Sequence, residues 1–453
     1  MSAAGPMNPA PIPLIARFAS GALLGTREAG PVDVDQFLGT ARALAQRLPP
    51  AAYCLNLCED RLNFALALAA ALLQRTVSLL PPTRAKGALR DLEAVYSPGY
   101  CFVDRPGTAG GVTQVDLREW PRGATSSEIP AIDARQPAIT LFTSGSTGAP
   151  RPHSKTWGAL ASGARALRER LSLSPGGAML GTVPAQHMWG LEATVMLPLQ
   201  SGCAIDSRSP LLPADIASIL AEMIAPRWLV TVPMHIDACV ATNVRMPAMA
   251  GVLSATSRLS ALLARAFEDF SGAPIFEIYG STETGAVGTR RPAREETFEL
   301  LEGLHLHPVA GQWRVAAGHV GDPVTLQDRL DVKSPTHFRL GARVHDLVKI
   351  GGKRASLATL NAELRRIPGV VDGVFWLPEN DRETSRLLAV VVAPGISRST
   401  ILAALRDRID SAFLPRPLVV LDALPRDSLG KLPRARMAEL ASQSIEADAP
   451  RET

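Results

Sequence analysis

The chain has 453 residues, 46% of them hydrophobic and 20% charged, a composition expected of a soluble globular protein with two or more domains, each able to bury a core. Its 47 basic and 43 acidic residues leave a net charge of only +4, too balanced for an electrostatic nucleic-acid binder, while acidic small-molecule substrates stay open. The five cysteines are scattered and lack C-x-x-C pairing, which excludes a zinc framework or disulfide scaffold and fits reduced thiols in a cytoplasmic protein. No basic n-region precedes an apolar leader, and the longest apolar run, 64–73, is too short to span a bilayer, so no membrane insertion is expected.

In chain order, residues 1–30 are rich in Pro, Ala and Gly and read as a loosely structured lead-in. The spacing Val34, Phe37, Leu38, Ala41, Leu44 predicts a helix over 33–48. A strand over 52–57, a buried helix over 61–75 and a strand over 76–80 make a βαβ unit, followed by a helix at 86–96 and an extended run at 99–104. The segment to about 130 reads as a polar connector. This alternation predicts an α/β fold with largely parallel sheets.

After the apolar run 138–142 comes Thr143-Ser144-Gly145-Ser146-Thr147-Gly148, a loop able to turn backbone N–H groups and hydroxyls toward one point, as a polyphosphate requires. It lacks the G-x-x-x-x-G-K-[ST] pattern of a Walker A loop, and taken alone it reads equally as a flexible Ser/Gly connector. Beyond it lie a helix at 156–171 and a strand at 178–183. That strand ends in Pro184-Ala-Gln-His187-Met188-Trp189-Gly190 and opens an apolar helix at 191–199. Ends of sheet strands are where α/β folds place ligands, although a lone histidine there serves structure as often. A strand at 228–232 stops at Pro233, and a helix is expected over 257–270.

The strand 274–278 runs into Tyr279-Gly280-Ser281-Thr282-Glu283-Thr284-Gly285. Here an aromatic that can stack on a base precedes a carboxylate that can hold Mg²⁺. Residues 298–338 break into short β-like pieces. His305 and His307 share one strand face without an evident third ligand, so a metal site is not indicated. The remainder, with strands at 346–350, 370–376, 387–392 and 417–421 and helices at 358–366 and 398–413, is a separate α+β domain. It closes on Asp427-Ser-Leu-Gly430-Lys431, with a polar tail over 437–453 expected to fray.

Only six of the basic residues are lysines (Lys86, Lys155, Lys333, Lys349, Lys353, Lys431), which points to places where a compact point charge is wanted, although genome composition alone produces the same bias. Four motifs in one order now match a family. From about residue 50 to Arg434 the chain resembles the adenylate-forming enzymes: acyl- and aryl-CoA synthetases, firefly luciferase and peptide-synthetase adenylation domains.

The resemblance implies a large adenylation domain, 1–343, with a β-rich subdomain, and a small mobile lid, 344–453. It implies that Thr143, Ser144, Gly145, Ser146, Thr147 and Gly148 hold the ATP phosphates, that Tyr279 beside Gly280 stacks on adenine, and that Thr282 contacts phosphate or carboxylate. By the same likeness Glu283 binds Mg²⁺, Asp328 takes the ribose hydroxyls and Arg343 closes the large domain. Lys349, Gly352 and Arg354 match the signature of the thioester step, and Lys431 matches the catalytic lysine, whose charge would offset that developing at the α-phosphate.

Several positions depart from the family pattern. Arg151 stands where lysine is usual, although Lys155 is near; 254–257 read Ser-Ala-Thr-Ser in place of Gly-x-Pro; Gln327 precedes Asp328; and His345 occupies the hinge. None removes a group the chemistry requires. Met188 occupies the place of the aspartate that pairs with a substrate ammonium, so an α-amino acid is disfavoured.

The resulting expectation is an AMP-forming acid–thiol ligase acting on a small carboxylic acid. His187, Met188, Trp189, Pro233, Met234 and His235 are candidate pocket residues, with His187 also a candidate catalytic residue; His187 or His235 could hydrogen-bond a ring hydroxyl, so a hydroxybenzoate-like aryl acid is favoured. The acceptor is CoA or a phosphopantetheinylated acyl carrier protein. A medium-chain fatty acyl ligase and a non-catalytic nucleotide-binding member remain the alternatives.

Overall fold

The computed structural model describes residues 10–105, 111–120, 125–144, 150–343, 347–351, 353–377, 386–425, 437 and 439–440. The chain divides into two compact units, one from residues 1–81, 96–141 and 153–344, the other from 82–95, 142–152 and 345–453.

In the first unit the expected βαβ start is present as Tyr53–Asn56, Arg61–Leu73 and Val77–Leu80, with the two strands parallel. The helix is buried on every side from Arg61 to Leu72, which accounts for the unbroken apolar run from Phe64 to Leu73. Asp60 caps it, accepting from the Leu62 and Asn63 backbone N–H groups at 2.8 and 2.9 Å.

The larger sheet has eleven strands. Its centre is parallel, in the spatial order Leu23–Arg27, Ala204–Asp206, Ala178–Gly181, Arg227–Thr231, Gly251–Ser254, Ile275–Ser281. Antiparallel strands flank it: Gly30–Asp33 at one edge, and Gly285–Arg290, Phe298–Leu300, His337–Arg343 and Asp328–Ser334 at the other. The chain leaves Ala178–Gly181 for a neighbour on one side and returns to Arg227–Thr231 on the other. The strand order therefore reverses at Ala178–Gly181, and the C-terminal ends of strands at such a reversal are where α/β sheets place their ligands. A separate three-stranded antiparallel sheet, His305–Val309, Gln312–Ala317 and Gly321–Thr325, is the β-rich piece expected from the sequence.

Four local expectations are corrected. Residues 1–30 are not all loose: Leu14 and Ile15 are buried, and Leu23–Arg27 joins the large sheet, with Gly25 so close to the next strand that a Cβ there would meet the Ile205 carbonyl oxygen at 2.5 Å. The helix expected over 257–270 is Ala261–Ser271, held back by its Ser260 cap. The helix expected at 191–199 begins at Met188 and passes through one π-helical turn, Glu192–Met196, in which the Leu197 N–H bonds the Glu192 carbonyl. The helix expected over 398–413 stops at Arg406, and Ser411–Phe413 is a separate 3₁₀ turn.

In the second unit, the hairpin Leu347–Ile350 with Lys353–Ser356 precedes the helix Leu357–Arg365 and the three-stranded sheet Asp372–Trp376, Leu388–Val392, Leu418–Val420. Its core includes Leu364, Phe375, Ile401 and Leu405. Met437, placed by sequence in the fraying tail, is buried against Leu388 and Val390.

Candidate functional site

The candidate site at the sheet's reversal is built from two strand ends. After Ala178–Gly181 the chain carries Thr182 and turns at Pro184; after Arg227–Thr231 it enters the helix Pro233–Thr242, whose first residue is a proline suited to that position. Half-buried His235 lies on the first turn of this helix. Its Nδ1 is 2.8 Å from Thr182 Oγ1 and 3.5 Å from Thr231 Oγ1, and the two threonine hydroxyls are 2.8 Å apart. Burial pushes the His235 imidazole below its usual pKa, so the neutral ring is favoured.

The indole of Trp189 donates to the Thr231 carbonyl at 3.2 Å. Residues separated in sequence, Trp189, Thr182, Thr231 and His235, thus meet at one polar node, with Pro233 buried beside it. His187 and Met188 are half-buried at the start of the Met188–Leu191 helix, where His187 occupies the cap position. Gly190 is obligatory in this turn, because a Cβ would lie 1.9 Å from the Pro184 carbonyl oxygen.

At the end of the strand Ala178–Gly181, Arg61, fully buried, donates to the Gly181 and Val183 carbonyls at 2.6 and 2.8 Å and to Ser209 Oγ at 2.8 Å. It anchors the strand end that carries the node. Sequence reading missed it; the available signal was an arginine opening a helix that is otherwise apolar except for Asn63.

The second motif forms a hairpin between Ile275–Ser281 and Gly285–Arg290. Its turn closes on itself: the Ser281 N–H donates to Thr284 Oγ1 at 3.1 Å, and Thr284 Oγ1 donates to the Gly285 carbonyl at 2.8 Å. A Cβ on Gly280 would meet the Gly285 carbonyl oxygen at 2.2 Å, and Gly285 adopts φ +71°, so both glycines are required.

The Tyr279 hydroxyl donates to Asp328 Oδ2 at 3.1 Å across 49 residues. Its ring packs obliquely on Phe298 and Phe338, which stack on each other with centroids 5.5 Å apart. Asp328 is in register with Arg343 across the antiparallel pair that ends the first unit's sheet. Tyr279, Gly280, Asp328 and the strand carrying Arg343 are therefore brought together.

Thr282 and Glu283 stand at the hairpin tip. The Glu283 carboxylate is 37% exposed and 3.5 Å from His153 Nε2, and its backbone carbonyl accepts from Lys155 Nζ. One accessible carboxylate suits Mg²⁺, which is held by one or two carboxylates together with substrate phosphates and water. Among the described residues no group of three or more His, Cys, Asp and Glu side chains forms a ready-made metal cage.

Of the remaining predicted residues, Thr143 and Ser144 end the strand Pro137–Ser144, while Gly145, Ser146, Thr147 and Gly148 lie outside the described residues. Lys349 and Arg354 face each other in register in the second unit's hairpin; Gly352, His345 and Lys431 lie outside the described residues. His305 and His307 do share a face, with ring centroids 6.4 Å apart. No helix among the described residues is long and apolar enough to cross a membrane.

The family model described as AMP-binding enzyme matches residues 46–334. A 4-coumarate–CoA ligase of Rhodobacter capsulatus is 31% identical over 303 residues, covering 64% of this chain and 73% of that protein. A 3-hydroxybenzoate–CoA/4-hydroxybenzoate–CoA ligase of Thauera aromatica is 22% identical over 353 residues, 68% of this chain and 67% of that protein. Among solved structures, the o-succinylbenzoate CoA synthetase of Bacillus subtilis superposes with a TM-score of 0.78 at 18% identity, covering 92% of this chain and 96% of that one, a likeness of fold.

Proposed function

This chain belongs to the AMP-binding enzyme family and is an AMP-forming acid–thiol ligase, and we propose that its acid is a hydroxybenzoate-like aryl carboxylate and its acceptor the phosphopantetheine thiol of CoA or of a carrier protein. In the first half-reaction a carboxylate oxygen of the acid attacks the α-phosphorus of ATP; the acyl–phosphate bond forms, the α–β phosphoanhydride bond breaks and pyrophosphate leaves. In the second, the thiol sulfur attacks the acyl carbonyl, the thioester forms and AMP departs.

The residues take the following parts. Tyr279 and Asp328 receive adenine and ribose; the 143–148 loop and Thr282 receive phosphates. Glu283 would hold Mg²⁺, which when bound offsets phosphate charge. Lys431 offsets charge at the α-phosphate, and Lys349, Gly352 and Arg354 serve the thioester step.

The observation that carries the choice of acid is the node of His235, Thr182, Thr231 and Trp189 at the sheet's reversal. The threonine hydroxyls engage Nδ1, so Nε2 is the ring nitrogen left to meet a phenolic hydroxyl. Met188 supplies no charge for a substrate ammonium. The buried Glu192 carboxylate near it is turned into the Ala286 N–H, which leaves an amino acid poorly served. The named substrates of the R. capsulatus and T. aromatica relatives agree with an aryl acid.

The test is thioester formation from a panel of hydroxylated and plain benzoates, cinnamates and medium-chain fatty acids, with CoA and with holo carrier protein as acceptors. Preference for hydroxylated aryl acids supports the reading; equal or better turnover of fatty acids overturns it.

A further inference from the structure

Three side chains from distant parts of the first unit each hold a backbone group of the hairpin at 283–286. Lys155, near the end of the strand Pro150–Thr156, donates its ammonium to the Glu283 carbonyl. Glu192, at the start of the π-helical turn, brings both carboxylate oxygens to 3.0 Å from the Ala286 N–H. His319 places Nε2 2.8 Å from the Ala286 carbonyl oxygen; that oxygen only accepts, so Nε2 carries the proton.

Glu192 and His319 are buried, at 5% and 6% exposure. Two glycines make room for them. A Cβ on Gly285 would lie 3.1 Å from Glu192 Oε1 and 3.6 Å from the His319 ring, and one on Gly163 would lie 3.2 Å from that ring and 3.4 Å from Glu192 Oε1. A carboxylate buried in an apolar helical run destabilises the fold relative to a leucine of similar size, and burial pushes Glu192 up to about 7. A one-residue π insertion inside a helix is itself a feature that often accompanies function. Such an arrangement has a use if the backbone it holds must not move.

We propose that Lys155, Glu192 and His319 are positioning residues that lock the backbone of residues 283–286 and so aim Thr282 and Glu283 at the ATP phosphates and their metal ion. This rests on the function proposed above, and it gives Lys155 a part that the Arg151 substitution leaves open. All three act through the hairpin rather than on the substrate.

The test uses the full chain and Glu192→Gln, Lys155→Met, Lys155→Arg and His319→Asn, read by calorimetric binding of ATP with and without Mg²⁺ and, independently, by the KM for MgATP against the KM for acid. The expected result is MgATP binding weakened about tenfold or more in Glu192→Gln, Lys155→Met and His319→Asn, with metal-free ATP binding weakened less, the acid KM changed less than about twofold, and recovery in Lys155→Arg. MgATP binding unchanged in folded Glu192→Gln and Lys155→Met overturns the proposal. So does a lowered melting temperature in these variants with no change in MgATP binding, the signature of a merely structural role. Because binding is read without acid or turnover, a failure of the acid-activation reading shows separately, as absent activity in the unaltered chain.

Discussion

Glu192 brings both carboxylate oxygens to 3.0 Å from the Ala286 N–H, joining residues 94 apart in sequence inside the core of the larger unit. Its environment fixes the sign of a pH effect. Burial lifts Glu192 from 4.5 to about 7, with the Ala286 N–H and Lys155 opposing; burial also drops His319 from 6.5 to about 4.

The folded state holds the Glu192 proton more tightly than the unfolded chain, so this carboxylate favours folding below about pH 4.5 relative to neutral pH, and that advantage is lost as pH rises to about 7. His319 acts oppositely: the unfolded imidazole takes up a proton first, so stability is lost as pH falls from 6.5 toward 4. The two contributions offset each other in the full chain. Glu192→Gln is expected to leave His319 unopposed and make stability fall more steeply on acidification across that window, as measured by denaturant midpoints. His319→Asn is expected to do the reverse. Parallel pH profiles for all three proteins would contradict this.

The buried pair Glu277–Arg290, 2.6 Å apart, holds the base of the same hairpin. Glu277 also accepts from the Leu259 N–H at 3.0 Å, and Arg290 lies over the Phe298 ring. Glu277→Ala leaves an uncompensated guanidinium in the core and is expected to cost ~3–5 kcal/mol. Urea unfolding measures it; a loss no larger than that of an exposed pair such as Arg118–Asp116 would show that the pair contributes little.

Tyr279 and Asp328 are joined by a hydrogen bond at 3.1 Å, which orients the carboxylate. Tyr279→Phe removes one neutral-to-charged hydrogen bond, at about 1–3 kcal/mol, while keeping the aromatic packing. A several-fold higher KM for ATP with little change for the acid is expected. Asp328→Ala should raise it further, to about tenfold or more. Equal effects on ATP and acid would argue against a nucleotide role.

The node at His235 makes a selectivity prediction. His235→Phe keeps a ring but loses the nitrogen, and it is expected to lower kcat/KM for hydroxylated aryl acids by about tenfold or more, with little effect on unsubstituted ones. Loss shared equally by both substrate types would place His235 in scaffold support alone.

The parts of this site that were legible in the sequence are those whose chemistry requires punctuating residues. Gly280 is a glycine because backbone lies where its Cβ would be and Gly285 because its φ is +71°, so the Tyr279–Gly285 turn stands out in a linear reading, as does Gly190 beside His187. The helix Val34–Arg47, with its one apolar face, was likewise read within a residue of each end.

Glu192 and His319 were not legible. One is a single acid within an apolar run and the other a histidine in a glycine-rich loop, and their significance comes from a backbone ninety-four or thirty-three residues away. The strand Leu23–Arg27 was missed for the opposite reason. Its composition suits a loop, yet Gly25 is small enough to let the Ala204–Asp206 strand approach, and the sheet overrides local propensity.

The central claim, that this chain activates a carboxylic acid through its adenylate, is tested most directly by acid-dependent exchange of labelled pyrophosphate into ATP. The account predicts exchange with hydroxylated aryl acids that is lost in Lys431→Ala by about 10²-fold or more while ATP still binds. ATP binding without exchange for any acid in a broad aryl and alkyl panel, or full exchange in Lys431→Ala, would contradict it.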